Sequence, residues 1–200
     1  MKISEIVEYA MGDYTKLNNK ALSIEGMSSR YVRNLLNKSV SYPDTRYLEI
    51  GVWKGSTLYS ALYKNNPSYA VAIDNFSSFG GPKQEFQNNM SDIEAKYEFI
   101  DQDCFSVDIS KFNKQFNVYF YDGKHSELDQ EMALTYYYEA LDNSFLYICD
   151  DYNIPHVKTG TQKGIEKCNL KILDEQTLPS KFNGDTSSWW NGIWIAHLKK

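Results

Sequence analysis

Four side chains suited to acid–base or metal chemistry follow two neighbouring predicted strands. Asp122 begins the sequence Asp-Gly-Lys-His, which puts His125 three residues later, and the pair Asp150-Asp151 follows the next strand. The carboxyl ends of parallel strands meet at one edge of a sheet, where ligands bind. Three acids gathered there repel one another unless they are protonated, bridged by cations or bound to a metal. A hard cation such as Mg²⁺ prefers an all-oxygen set and keeps water molecules that a substrate hydroxyl can replace.

His125 could also act directly on a substrate. An imidazole can take a proton from a hydroxyl group near neutral pH. The alternative is a turn histidine that is hydrogen-bonded to the backbone, and the sequence leaves both open. The other two histidines, His156 and His197, are expected to be structural.

An apolar strand and a glycine turn form the second candidate site. The strand Arg-Tyr-Leu-Glu-Ile (46–50) stops at Gly51, a second glycine follows at Gly55, and Ser56-Thr57 opens a helix. Strand, Gly-x-x-x-Gly turn and helix is how a doubly wound sheet presents a nucleotide-like ligand. The glycines allow close approach of the backbone, and the start of the helix offers unpaired N–H groups.

Two residues of this segment favour a nucleoside that carries an amino acid. Trp53 stands where a dinucleotide fingerprint needs its second glycine, and its side chain would crowd a pyrophosphate. Glu49 would repel phosphate but could receive an ammonium group, directly or through water. The segment therefore favours S-adenosylmethionine over NAD, although another nucleoside ligand, or none, stays open.

These motifs resemble a known enzyme superfamily. The strand ending in Glu-x-Gly with its glycine turn resembles the first motif of the class I methyltransferases. The Asp-Gly-x-His sequence with the later Asp-Asp resembles the macrocin O-methyltransferase-like and cephalosporin-hydroxylase-like branch (methyltransferase family 24-like), and more distantly catechol O-methyltransferase. The resemblance covers the chain from about Arg46 to its end. It implies that Asp122, Asp150 and Asp151 ligate Mg²⁺ and that His125 stands where the catechol enzyme has its catalytic lysine.

Further cofactor contacts are predicted after the second and third strands. The apolar run 69–73 ends in Asp74-Asn75, about 20 residues beyond the glycines, where an acid binds ribose hydroxyls. A carboxylate can accept two hydrogen bonds from a vicinal diol. In the superfamily, residues just past the third strand contact adenine, which the resemblance carries to Asp103 and Cys104. Helix-cap and surface-loop interpretations of these acids stay open. The predicted cofactor set is Glu49, Gly51, Trp53, Gly55, Ser56, Asp74, Asn75, Asp103, Cys104 and Asp122.

The elements that must position these residues predict an α/β fold of the Rossmann-like class I methyltransferase type. We expect a seven-stranded, mostly parallel sheet with a C-terminal antiparallel hairpin and helices on both faces. One domain should span 1–200, with a helical cap over 1–44 and the sheet core over 45–200. Near the end, we expect a loop over 154–160, a short helix over 162–168, and strands at 170–173 and 193–198. The pair Trp189-Trp190 could wall the acceptor pocket, form a subunit contact or pin its loop, and we favour the last two.

The amino-acid composition limits the kinds of binding partner and of cellular location that we expect. The formal net charge is −5 and no Lys/Arg block is present, which argues against a general nucleic-acid binder. Three scattered cysteines without a Cys-x-x-Cys spacing indicate neither a zinc site nor a disulfide framework, so a reducing cytoplasm is the default location. We find no signal peptide and no apolar stretch of membrane-spanning length.

The sequence therefore predicts an S-adenosylmethionine-dependent O-methyltransferase that is assisted by Mg²⁺. Its acceptor would be a small hydroxylated molecule, a sugar or a phenol-like compound, with His125 or Asp122 removing the proton. A homo-oligomer stays open, as do three alternatives. These are a nucleotide-dependent oxidoreductase, a metal-independent methyltransferase with His125 as base, and a non-catalytic protein of the same fold.

Overall fold

One seven-stranded sheet organises the chain, and the computed structural model describes residues 2–200. In chain order the strands are β1 (Arg46–Ile50), β2 (Tyr69–Ile73), β3 (Glu98–Ile100), β4 (Phe116–Tyr121), β5 (Leu141–Cys149), β6 (Lys171–Leu178) and β7 (Ile193–Lys199). They lie side by side in the order β3-β2-β1-β4-β5-β7-β6. The first five pair in parallel, and β7 is antiparallel to both β5 and β6. The predicted sheet and its C-terminal antiparallel hairpin are confirmed.

Helices cover both faces of the sheet, as predicted. One face carries α1 (Ile3–Met11), α2 (Asn19–Ser23), α3 (Arg30–Val40), α4 (Ser56–Leu62) and α5 (Lys83–Met90). The other face carries α6 (Glu127–Thr135) and α7 (Pro155–Lys167). Successive strand residues point to opposite faces, so Tyr47 packs with the first group of helices and Leu48 with the second. Burial on both sides explains why the central strands read as continuous apolar runs.

The N-terminal helices pack against the sheet. The side chain of Ser29 accepts a hydrogen bond from the backbone N–H of Val32 at 3.3 Å and so caps α3. Ile3 and Ile6 of α1 belong to the same hydrophobic cluster as Tyr47 of β1. The described part of the N-terminal segment therefore forms one layer of the core.

The loop predicted over 154–160 is wrong, because α7 begins at Pro155 and continues to Lys167. Proline is compatible with the first turn of a helix, where its missing N–H is not needed. Two glycines of this helix serve packing. A Cβ atom at Gly160 would overlap the backbone carbonyl of Glu127, and one at Gly164 would lie 3.0 Å from the carbonyl oxygen of Glu131. Glycine thus lets the backbones of α6 and α7 approach closely.

Other elements differ from prediction mainly in length. The last two strands extend to Lys171–Leu178 and Ile193–Lys199, and the short helix α2 was not predicted. Three 3₁₀ turns complete the structure at Cys104–Ser106, Ile109–Lys111 and Tyr138–Ala140. Within residues 2–200, no helix combines the length and apolar character needed to cross a membrane.

Candidate active site

A cavity of about 480 Å³ opens at the carboxyl ends of the central strands. Gly51 follows β1, Asp74 follows β2, Asp122 follows β4 and Asp150 follows β5, and all four line its wall. β2 and β3 extend the sheet on one side of β1, whereas β4 and β5 extend it on the other side. Ligands bind open α/β sheets at the point where the strand order switches in this way. The volume lies in the range of small-molecule and cofactor sites.

Most residues predicted to bind cofactor, acceptor or metal lie on this wall. The exceptions are Glu49 and Gly55. The predicted residues that do line the cavity are Gly51, Trp53, Ser56, Asp74, Asn75, Asp103, Cys104, Asp122, His125, Asp150 and Asp151. The topology therefore gathers side chains that stand up to 100 positions apart in the sequence.

Glu49 is fully buried beneath the wall. Its Oε2 accepts a hydrogen bond of 2.5 Å from the Tyr47 hydroxyl, and its Oε1 accepts one of 2.6 Å from Thr57. Burial raises the pKa of Glu49 to about 7, against the opposing effect of these two hydrogen bonds. Thr57 lines the cavity and stands between Glu49 and any ligand. The hydroxyl group of Thr57 therefore lies between the Glu49 carboxyl group and the cavity.

The two glycines of the turn have packing roles. Gly51 has a φ of 84°, and a Cβ atom there would overlap the backbone carbonyl of Asp122. Gly55 has a φ of 86°, and its Cβ would lie 3.1 Å from the ring of Phe86. Both positions need a left-handed conformation that disfavours side chains. Gly55 packs against α5, whereas Gly51 lets β1 and β4 turn side by side into the cavity.

Asp74 ties the end of β2 to the glycine turn. Its Oδ2 accepts hydrogen bonds from the backbone N–H groups of Val52 and Trp53, both at 2.9 Å. Its Oδ1 accepts another from the N–H of Phe76 at 2.7 Å. A carboxylate has about four lone-pair sites, so Asp74 retains acceptor capacity for a ligand while it holds the turn in place.

Five residues with strained backbone lie around the cavity. Positive φ angles are found at Trp53 (43°), Phe76 (51°), Phe79 (49°), Asp151 (57°) and Trp190 (59°), all of which line the wall. Such conformations are costly for non-glycine residues and cluster at ligand sites. The indole N–H of Trp53 donates to the carbonyl oxygen of Phe79 at 3.2 Å. Trp53 therefore turns toward the loop after β2 and forms one side of the cavity.

The opposite side combines polar and apolar groups at Asp103 and Cys104. The Asp103 side chain accepts a hydrogen bond from the backbone N–H of Phe105 at 3.0 Å and caps a short 3₁₀ turn. Burial raises the pKa of the Cys104 thiol to about 12, so this group stays neutral. Phe105 also lines the wall. This side offers a carboxylate beside an apolar surface.

The predicted acid cluster forms at the tips of β4 and β5. Nε2 of His125 lies 3.3 Å from Oδ2 of Asp151 and 3.6 Å from Oδ1 of Asp122. Asp150 lies beside Asp122, and among residues 2–200 its buried Oδ1 has no hydrogen-bond partner. Burial, followed by the neighbouring acids, raises the pKa of both Asp122 and Asp150 well above the usual value. The raised pKa favours the protonated form of both acids.

This arrangement does not support the Mg²⁺ prediction. Among residues 2–200, no group of three His, Cys, Asp or Glu side chains is placed to hold a metal ion. His125 lies close to both Asp122 and Asp151. The raised pKa of Asp122 and Asp150 favours their protonated forms, which limits the repulsion between the acids.

Sequence analysis missed Gln130, which is fully buried on α6. Burial raises the pKa of the Cys149 thiol to about 12, so the thiol keeps its proton and donates to Oε1 of Gln130 at 3.4 Å. The amide nitrogen then faces Nδ1 of His125 at 3.2 Å. Nδ1 must accept this hydrogen bond, which leaves the imidazole proton on Nε2, toward the acids. No sequence pattern marks this contact, because His125 precedes α6 and stands five positions before Gln130.

The two adjacent tryptophans have different environments. Trp189 is buried, and its ring lies 5.5 Å from that of Tyr31 on α3, so it pins the loop. Trp190 lines the cavity. The next residue, Asn191, donates from its side chain to Oδ1 of Asp151 at 2.5 Å. The loop before β7 therefore completes the wall beside the acid cluster.

No family model and no curated protein matched the sequence. Solved structures of other proteins, by contrast, match the fold of this chain. The O-methyltransferase from Bacillus cereus, solved with S-adenosylhomocysteine, shares 10% identity at a TM-score of 0.60, over 98% of this chain and 90% of that one. TrmK from M. capricolum, solved with the same product, shares 14% identity at a TM-score of 0.59, over 84% of this chain and 67% of that one. The chain has the class I methyltransferase fold.

This methyltransferase fold also occurs in longer proteins. A proposed S-adenosylmethionine-dependent methyltransferase from Streptococcus mutans shares 14% identity at a TM-score of 0.59, over 86% of this chain but only 48% of that one. The chain thus spans about half the length of that structure. At these identities the likeness establishes the fold, and activity must be argued from the site.

Proposed function

We propose that the protein is an S-adenosylmethionine-dependent methyltransferase that methylates a hydroxyl oxygen of a small acceptor. The main support for this proposal is that a single cavity contains both a candidate nucleoside site and a candidate site for proton transfer. A nucleoside-type wall at Asp74, Asp103 and Cys104 continues into the acid cluster around Asp122. Two solved structures of the same fold are complexes with S-adenosylhomocysteine, which supports the choice of cofactor.

The residues of the nucleoside side suit this cofactor. Asp74 keeps acceptor capacity that a ribose diol can use, since only three backbone N–H groups reach its two oxygens. Asp103 can accept from an adenine amino group while the neutral Cys104 and Phe105 cover an apolar ring. Trp53 supplies a wide aromatic surface where a dinucleotide site would need glycine.

The cofactor supplies an activated methyl group, so the protein has to position the acceptor and take up its proton. An acceptor hydroxyl that takes the methyl group would have to lose its proton to a group of the protein. Asp122 is suited to accept that proton, because it lines the cavity and because burial, followed by the neighbouring Asp151, raises its pKa. His125, with its proton on Nε2, orients the acids as a donor.

Charge favours a small, neutral or cationic acceptor. The acids that line the cavity are Asp74, Asp103, Asp122, Asp150 and Asp151, and the whole chain carries a formal net charge of −5. These charges repel a polyanion such as a nucleic acid. Sugars and phenol-like molecules both satisfy this condition. We propose no step that depends on Mg²⁺, because a carboxylate such as Asp122 can take up the acceptor proton directly.

The test has two stages. Calorimetry should show binding of S-adenosylhomocysteine to the wild-type protein, and no binding at millimolar ligand would overturn the proposal. A panel of sugars and phenols is then screened for release of S-adenosylhomocysteine from S-adenosylmethionine. Asp122→Asn should bind the cofactor but lose transfer by roughly 100-fold or more, as expected for loss of a proton acceptor. Wild-type binding without turnover of any acceptor would favour the non-catalytic alternative.

A further inference from the structure

Arg33 is a buried cation on α3, close to the cavity but outside its wall. Its side chain is 5% exposed. Nε donates to the hydroxyl oxygen of Ser28 at 3.0 Å. Nη1 donates to the backbone carbonyls of Ala21 at 2.8 Å and Leu22 at 3.0 Å. The guanidinium is thus held in place by neutral acceptors.

No carboxylate within the described residues forms an ion pair with this group. The ion pairs formed within residues 2–200 do not include Arg33. Burial lowers its pKa to about 10, so the group still carries its charge near neutral pH. Burying a cation without an opposite charge is unfavourable, even when its N–H groups are hydrogen-bonded. An anionic group that binds nearby would therefore gain a favourable interaction.

A short chain of hydroxyl groups leads from Arg33 to the cavity. The Ser28 oxygen that accepts from Arg33 lies 3.2 Å from the hydroxyl oxygen of Ser56. Ser56 and Met27 both line the cavity. Gly26 packs on this chain, since a Cβ atom there would overlap Ser56 and lie 3.0 Å from Nη2 of Arg33. The segment that holds the arginine thus lies directly against the cavity wall.

The remainder of the wall is unfavourable for a carboxylate. Its acids are Asp74, Asp103, Asp122, Asp150 and Asp151. Among the lining residues of 2–200, the one lysine is Lys124, which is exposed and follows Asp122 by two positions. A ligand that carries a carboxylate gains most if this group lies at the Ser56 end, the part of the wall that the Ser56 and Ser28 hydroxyls connect to Arg33.

We propose that Arg33 positions the carboxylate of the cofactor's amino-acid group, acting through Ser28 and Ser56. The inference rests on the proposed function, because it assumes a cofactor of this class. It assigns the Ser56 end of the cavity to the amino acid and leaves Asp74 and Asp103 for the nucleoside. Arg33 is a positioning residue in this scheme, since its guanidinium touches Ser28 and not the ligand.

The test compares three ligands by calorimetry. S-adenosylhomocysteine carries both carboxylate and ammonium, its decarboxylated analogue keeps only the ammonium, and methylthioadenosine lacks both. Arg33→Met should weaken binding of S-adenosylhomocysteine by about tenfold or more, as expected for loss of a nearby charge. Binding of the two ligands without a carboxylate should change less than about twofold. Arg33→Lys should restore most of the affinity for S-adenosylhomocysteine.

Matched variants separate this role from a structural one. Arg30→Met removes an arginine of the same helix that also donates to backbone carbonyls, at Gly12 and Asp13, and should leave all three affinities unchanged. Ser28→Ala keeps Arg33 and serves if Arg33→Met does not fold, and it should weaken S-adenosylhomocysteine selectively. Equal weakening of all three ligands, or of none, would overturn the inference. A wild-type protein that binds none of them would instead overturn the proposed function.

Discussion

The hydroxyl of Thr57 donates a 2.6 Å hydrogen bond to the buried carboxyl group of Glu49. Glu49 lies directly behind the cavity wall, and Thr57 is the wall residue in front of it. The stability of the folded site therefore depends on whether Glu49 is protonated. The ionised form can interact with a ligand cation through Thr57, whereas the neutral form suits the apolar surroundings.

Stability should depend on pH through Glu49. Burial raises its pKa from 4.5 to about 7, so the folded state holds a proton that the unfolded state releases. This contribution is complete below the unfolded value and is lost as pH rises through about 7. The loss should reach about 3 kcal/mol. Urea unfolding at pH 4 and pH 8 gives the difference in free energy of unfolding between wild type and Glu49→Gln, and this difference should change by that amount between the two pH values. The difference between wild type and the variant Glu8→Gln, at an exposed position, should not change with pH.

Removal of Asp74 should weaken cofactor binding. Asp74→Ala loses the acceptor for a ribose diol and also the contacts that hold the backbone of Val52 and Trp53. Charge-assisted hydrogen bonds of this kind predict a loss of affinity for S-adenosylhomocysteine of roughly 10- to 100-fold. Asp101→Ala is the control, since Asp101 also follows a strand but pairs with Lys83. Unchanged affinity of Asp74→Ala by calorimetry would reject the role.

Chelation should leave binding and methyl transfer unchanged. Within residues 2–200 no group of three His, Cys, Asp or Glu side chains is placed to hold a metal ion, and Nε2 of His125 lies 3.3 Å from Asp151. Burial raises the pKa of Asp150 and favours its neutral form, so the neutral amide of Asp150→Asn, which has a similar shape, should also keep most of the activity. Assays with EDTA and with added Mg²⁺ check both statements. Activity that disappears in EDTA and returns with Mg²⁺ would show that the acids do bind metal.

Gln130 should control which nitrogen of His125 carries the proton. Gln130→Met removes the donor to Nδ1, and nitrogen NMR should then show loss of the uniform Nε2–H form. Transfer should fall by about tenfold, because the acids lose a fixed donor. Gln162→Met, at an exposed position of α7, is the matched control. An NMR signal of His125 that does not change would contradict this assignment.

Gly160 should be intolerant of substitution. In Gly160→Ala the new methyl group would overlap the carbonyl oxygen of Glu127 on α6, so the two helices must separate. Overpacking of this kind costs about 1–3 kcal/mol, measurable by urea unfolding. Gly12→Ala is the control, because its added Cβ would lie no closer than 3.5 Å to its neighbours. Equal stability of both variants would show that α6 and α7 are not in close contact.

The sequence by itself determined the sheet and the edge at which ligands bind. Buried parallel strands such as β1 and β4 appear as apolar runs, and their carboxyl ends share one edge, so Asp74, Asp122 and Asp150 could be placed together. The glycine turn likewise followed from local backbone requirements. By contrast, the segment 154–160 was wrongly predicted as a loop, because a glycine such as Gly160 between two packed helices looks like a loop glycine in the sequence.

Only the tertiary structure decided how these groups engage one another. The hydrophobic pattern of the sequence predicts which strand an acid follows, but it does not predict which residues of other elements that acid contacts. That Glu49 hides behind Thr57, that Gln130 orients His125, and that Arg33 reaches the cavity through Ser28 all depend on contacts between separate elements. Hydrogen bonding and burial at such contacts set the charge of each group, and these are properties of the folded chain.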